Sequence, residues 1–290
     1  MSSRYNSNAG RVFDVFNVIL LGVVGLLALL PFLFVIGGSF ATEAELTRRS
    51  FFLWPDQFSL ASYAAVFATP TFLRSLAVTI GVTAVGTVIQ LAITVCMAYP
   101  LARRALPGRN LMLSLIVFAM VFSAGLIPTF LMVKNLGLLN SWWALILPAA
   151  VNPFSLIIIK NFFQELPIEL EEAAMIDGAS ELRVLWSILL PLSKPVLATF
   201  ALFYAVGIWN DFMSPLLYLT DSAKWTLQMF LRQVTVATNV AVTNADSSYI
   251  PPAQGIKFAV VVVATVPILM FYPFLQKHFA KGILIGSVKG

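Results

Sequence analysis

The strongest constraint in this sequence is a series of apolar runs long enough to cross a lipid bilayer. The first, Val15 to Ile36, contains no charged residue. Similar runs cover Phe72 to Ala98, Leu111 to Val133, Trp142 to Phe162, Pro195 to Leu219 and Ile256 to Leu275. A hydrocarbon core about 30 Å thick takes roughly 20 helical residues, and each run meets that length. The runs are continuous rather than alternating, so they predict helices and not the strands of a barrel. With 59% hydrophobic and only 11% charged residues, a water-soluble globule is excluded. The expected fold class is an all-α integral membrane protein with six transmembrane helices.

Charge orients the chain. Arg4 and Arg11 precede the first run, and Arg103, Arg104 and Arg109 cluster beside Pro107-Gly108 after the second. Counted over Lys and Arg alone, the side that carries both termini holds the larger share, which predicts cytoplasmic N- and C-termini. The first run is too long for the core of a cleavable signal peptide. The expected organisation is a cytoplasmic N-terminus at 1–14 and a transmembrane domain at 15–290. That domain carries a cytoplasmic loop at 161–194, an external segment at 220–255 and a cytoplasmic tail at 276–290. The net charge of +5 comes from the basic flanks of the helices and does not point to nucleic acid.

Chemistry is sparse. One cysteine, Cys96, and one histidine, His278, build neither a disulfide framework nor a metal site, and both read as structural. No Gly-x-x-x-x-Gly-Lys-Ser/Thr stretch occurs, so no phosphate loop for ATP is expected in this chain. An intramembrane enzyme would need paired catalytic groups inside the spans, and the sequence has none. Trp142-Trp143 reads as an interfacial anchor. Gly125 and Pro128 should bend or break the third span. Pro148 and Asn152-Pro153 should free carbonyls in the fourth. In the fifth span Tyr204, Trp209 and Asn210 offer stacking and hydrogen bonds, and Asp211 is its one acid.

An acidic island interrupts the apolar pattern between spans four and five. Pro167 suits the first position of a short helix, and Glu169, Glu171 and Glu172 complement its dipole. Glu165, Glu169 and Glu172 are expected to share one face. Ala173 and Ala174 leave another side without bulk, Gly178 ends the helix, and Ser180 can cap a second one from Glu181. The reading is helix, turn, helix.

Within this island Glu172-Ala173-Ala174 is followed after three residues by Gly178 and after nine more by Ile188-Leu189-Leu190-Pro191. This spacing resembles the coupling-helix motif of ABC importer permease subunits at every fixed position. Gly125-Leu126-Ile127-Pro128-Thr129-Phe130 and Asn135-Leu136-Gly137-Leu138-Leu139-Asn140-Ser141 are similar to the span-three region of maltose-type carbohydrate permeases. The tail Gly286-Ser287-Val288-Lys289-Gly290 also resembles theirs, and the chain looks most like the branch serving oligosaccharides and pectin- or alginate-type fragments.

The resemblance implies a type I importer permease fold with no catalytic residues and no bound metal or cofactor. ATP and magnesium would act at a separate ATPase dimer. The other implied partners are a second homologous permease, an extracytoplasmic sugar-binding protein, lipid and an oligosaccharide, in a bacterial cytoplasmic (inner) membrane. It assigns ATPase coupling to Glu169, Glu172, Ala173, Ala174, Asp177, Gly178 and Arg183. Candidates for the translocation path or gate are Asn152, Tyr204, Trp209, Asn210 and Asp211, with Arg74 or a cation on the partner permease as the counter-charge of Asp211. Contact with the binding protein falls to Asn239, Thr243, Asn244 and Asp246. The competing reading is an ATP-independent secondary carrier or channel. Such a protein has no need of an acidic docking helix, and no internal repeat supports it.

Overall fold

The computed structural model describes residues 8–243 and 254–286, whose regular elements are all helices, with no strand among them. The chain divides into two compact units, one of residues 1–70 and 231–266, the other of residues 71–230 and 267–290.

The first unit contains α1 (Asn8–Ser39), the short helices α2 (Glu43–Arg48) and α3 (Ala61–Ala68), and the start of the last helix. Within Val12–Ser39 the most apolar stretch of α1 has a mean hydropathy of 3.0 and buries nothing within the protein, which makes its solvent lipid, and only the end of the helix, at Gly37, Gly38 and Ser39, is buried. Beyond it the chain is polar yet tightly built. Glu45, 5% exposed, accepts from the guanidinium of Arg49 at 3.0 Å and from the backbone N–H of Asp56 at 2.9 Å. Glu43 accepts from the backbone N–H groups of Gln254 and Gly255 at 3.0 and 3.3 Å. The segment between α1 and α3 is therefore an ordered loop, organised around two glutamates.

The second unit begins with α4 (Pro70–Ala102), continuous and apolar enough to cross a membrane. The third apolar run is broken as expected. Helices α5 (Arg109–Val121) and α6 (Leu126–Asn135) meet at 115°. Gly125, at φ +82°, makes the break, while Pro128 falls in the first turn of α6, where no helical hydrogen bond is lost.

The fourth run differs from a continuous span. It holds α7 (Trp143–Ile146), an irregular stretch, and α8 (Pro153–Glu165). The prolines sit outside helix interiors. Pro153 occupies the first turn of α8, and Asn152 caps it by accepting from the N–H of Ser155 at 3.0 Å. The acidic island forms α9 (Ile168–Ile176) and α10 (Glu181–Val184). A wide helical turn at Leu185–Leu189 and a final turn, α11 (Leu190–Leu192), follow. At Ser193 the chain bends by 84° into α12 (Lys194–Asn210).

The fifth run is also interrupted, between α12 and α13 (Met213–Tyr218). Further on, the 220–255 segment includes α14 (Leu227–Thr243), and α15 (Gln254–Gly286) follows. Two helices, α1 and α4, are single candidates for membrane spans. The bent pairs α5 with α6 and α10–α11 with α12 raise the number to four among the described residues.

The core of the second unit has two parts. Val95, Ala98, Tyr99 and Leu101 of α4 pack with Leu156, Ile159 and Phe163 of α8, with Val184, Leu185 and Leu189, and with Phe200 and Tyr204 of α12. At the opposite end Val78 and Val82 of α4 pack with Ala144, Leu145 and Ile146 of α7 and with Tyr218 and Leu219.

Candidate functional site

The acidic helix is built by local rules. Glu169 and Glu171 lie in the first turn of α9, where the helix dipole favours them. Gly178 takes φ +82°, so its N–H bonds to the carbonyl of Met175 at 3.0 Å. The N–H of Ala179 bonds to that of Ala174 at 2.9 Å, completing a Schellman cap. The Ser180 hydroxyl then accepts from the N–H of Arg183 and opens α10. Helix, turn and helix follow the sequence expectation, with two corrections. Pro167 stands one position before the first helical residue. Glu165 ends α8, and the change of direction at Leu166-Pro167 removes it from any face shared with Glu169 and Glu172.

Exposure sorts these residues. Glu169, Glu172, Ala173, Asp177, Gly178 and Arg183 are exposed, whereas Ala174 packs against the α4–α8 core. Glu171, which the sequence reading used only as a dipole partner, turns inward. Its carboxylate lies 2.7 Å from the Arg103 guanidinium, just past the end of α4. Arg103 also donates to the Tyr99 hydroxyl and lies over that ring. Burial opposes its charge, but the Tyr99 hydroxyl and the Glu171 carboxylate outweigh that and raise its pKa above the ordinary arginine value.

A second candidate site is a cavity of about 380 Å³ lined from α4, the α7–α8 stretch, α12 and α13. Its size falls in the range of small-molecule sites, roughly 300–1,000 Å³. Asn152, Tyr204, Asn210 and Asp211, four of the five residues named as path or gate candidates, line it. Trp209 is 7% exposed and lies off the wall. Tyr204 is less available than expected. Thr94 donates its one proton to the carbonyl of Gln90 at 2.7 Å, so Tyr204 donates to Thr94 at 2.9 Å.

Asp211 is not inside a helix. It stands at the break after α12, and one carboxylate oxygen accepts from the N–H groups of Met213 and Ser214, both at 3.1 Å. Among the described residues no ion pair joins it to Arg74, and the partners it has are these two backbone donors on one oxygen. The sequence reading missed Gln90, Thr83 and Phe203, which also line the cavity. A buried polar residue in an apolar run was the available signal for Gln90, which is 4% exposed. The side chains of Asn239 and Thr243, and all of Asn244 and Asp246, lie outside the described residues.

The pattern of the binding-protein-dependent transport system inner membrane component family fits residues 3–285. The chain belongs to that family. It is 65% identical over 288 residues to protein LplC of Bacillus subtilis (strain 168), covering 99% of this chain and 98% of that one. It is 50% identical over 283 residues to the polygalacturonan/rhamnogalacturonan transport system permease protein YtcP of the same organism, covering 97% and 99%. In three dimensions it matches a chain in the crystal structure of a bacterial ABC transporter involved in the import of the acidic polysaccharide alginate. The TM-score is 0.87 at 32% identity, over 96% of this chain and 100% of that one. The resemblance carried by Glu172 to Pro191 thus extends to nearly the whole chain. As a family member the protein is a multi-pass permease of the ABC importer class, and it is non-catalytic, ATP hydrolysis being the work of a partner ATPase.

Proposed function

We propose that this chain is the membrane-spanning permease subunit of an ATP-driven importer of oligosaccharides, including uronate-containing fragments of polysaccharides. It pairs with a second permease in a bacterial cytoplasmic membrane, and an extracytoplasmic binding protein delivers the sugar. The chain crosses the bilayer six times with both termini inside. ATP and magnesium bind only the ATPase dimer, whose closure drives the coupling helix and opens the cavity by alternating access.

The observation that carries this reading is the acidic helix, which exposes Glu169 and Glu172 beside the small Ala173 and reverses at left-handed Gly178. That surface suits a basic cleft on an ATPase. The names of the relatives support the sugar class, and the cavity supports a path along α4 and α12. In that path Phe203, 48% exposed, is the stacking surface, with Gln90, Asn152 and Asn210 as hydrogen-bonding groups. Asn239, Thr243, Asn244 and Asp246 contact the binding protein.

The test is co-expression with the neighbouring operon genes. The chain should bring an ATPase subunit through purification, and the complex should import oligosaccharides from a panel of neutral and uronic sugars when ATP is supplied. Glu172→Lys should abolish that import. Purification without an ATPase, or ATP-independent uptake by the chain alone, would return the protein to the secondary carriers.

A further inference from the structure

Two adjacent glutamates of α9 face opposite ways. Glu172 is exposed, while Glu171, with its side chain 14% exposed, pairs with Arg103 at 2.7 Å. Arg103 immediately follows α4, and three further bonds fasten the same helix end. Tyr99 donates to the backbone carbonyl of Glu181 in α10 at 3.4 Å. Gln164 of α8 donates to the carbonyl of Ala102 at 2.9 Å, and its own carbonyl accepts from Lys160 at 2.8 Å. Arg109 donates to the carbonyl of Leu101 at 2.9 Å. The last carbonyls of α4, which a helix leaves unsatisfied, are therefore taken up by neighbouring elements rather than by water.

We propose that Arg103 and Glu171 form a latch that fixes the coupling helix to the end of α4, so that α4 moves with it. Arg103 is thus a positioning residue for energy coupling, acting through α4. The inference rests on the reading of α9 as the ATPase-coupling helix. The geometry supplies each link. The pair is partly withdrawn from solvent, so screening weakens it less than a surface pair. Tyr99 holds the guanidinium while itself reaching α10, so the latch grips both limbs of the helix–turn–helix. From there α4 runs without a break for about 50 Å. Gln90, Thr83 and Thr79 on that helix line the cavity. A rod joined at one end to the coupling helix and lining the cavity at its middle carries a push from the one to the other. The adjacent acids divide the work: Glu172 faces the ATPase, and Glu171 holds the coupling helix to its own chain.

The test uses the assembled transporter with its ATPase, partner permease and binding protein in lipid nanodiscs. A fluorophore at Arg74→Cys, near the far end of α4, is placed in a Cys96→Ser background with the complex otherwise free of cysteine. Trapping with magnesium, ATP and vanadate should shift its emission. In Arg103→Met and Glu171→Gln, nucleotide should still be trapped while the shift falls at least fivefold. The exchange Arg103→Glu with Glu171→Arg should recover most of it. A residue that only stabilised the fold would lower trapping and shift together and would gain nothing from the exchange. A parental shift in Arg103→Met complexes that trap nucleotide overturns the latch, as does an exchange that fails to recover it.

Should the substitutions prevent assembly, Arg103→Cys with Glu171→Cys can be bridged by a short bifunctional methanethiosulfonate reagent. The bridged complex should keep the shift, and its loss on bridging overturns the proposal. Failure of the underlying reading is distinct. Glu172→Lys would then leave import undiminished, or no ATPase would accompany the chain, whatever Arg103 does.

Discussion

Asp211 illustrates how a residue's chemistry depends on its backbone. In a continuous helix its carboxylate would need a counter-charge, but at the α12–α13 break it accepts from two N–H groups that a helix start leaves free. Shape and acceptor capacity then matter more than charge. Asp211→Asn keeps an acceptor oxygen and should leave the thermal stability of the purified complex near the parental value. Asp211→Ala should lower stability by about 1 kcal/mol, the usual cost of a lost cap, and slow import of every sugar alike. Equal damage from the two substitutions in a thermal melt would show that the charge is required. Phe203 is a separate case, since its exposed ring lies on the cavity wall one helical turn from Gly207, where no atom crowds the position of a side chain. Phe203→Ala should raise the KM of import several-fold while Phe203→Trp keeps it low. A KM unchanged by the alanine would remove the ring from the sugar path.

Among the elements, α9 and its turn carry the most function per residue. The Schellman cap at Gly178 aims α10, and through it the wide turn Leu185–Leu189, whose buried leucines sit in the α4–α8 core. Any residue with a Cβ is disfavoured at φ +82°, by about 1–2 kcal/mol, and a β-branched one more so. Gly178→Val should therefore misdirect α10 and reduce sugar imported per ATP hydrolysed, measured in proteoliposomes. An unchanged ratio would mean that the turn's geometry is not needed for coupling. Helix α14 belongs to the same scale. Replacing Asn239 to Ser248 with a glycine-serine linker should weaken stimulation of the ATPase by the binding protein while the complex still assembles. Parental stimulation would make that stretch a linker.

At the scale of the whole molecule, labelling with a membrane-impermeant thiol reagent checks the orientation in the membrane. Single cysteines at Ala105 and Ser222, in a Cys96→Ser background, should react from the cytoplasmic and external sides respectively. Reaction of both from one side would refute the six-span reading. The sequence by itself determined the solvent, the helical class and the family. Apolar runs of span length admit few alternatives, and the motif from Glu172 to Pro191 is written in local spacing. It also located the turn at Gly178 and the break at Gly125, because left-handed backbone is a local demand that glycine meets. Tertiary structure decided what depended on partners far along the chain. It broke the fourth and fifth runs at Asn152 and Asp211, whose side chains replace missing helical bonds. It placed Phe203 on the cavity wall and Trp209 off it. It also separated Glu171 from Glu172, because Arg103, distant in sequence, stands beside only one of them.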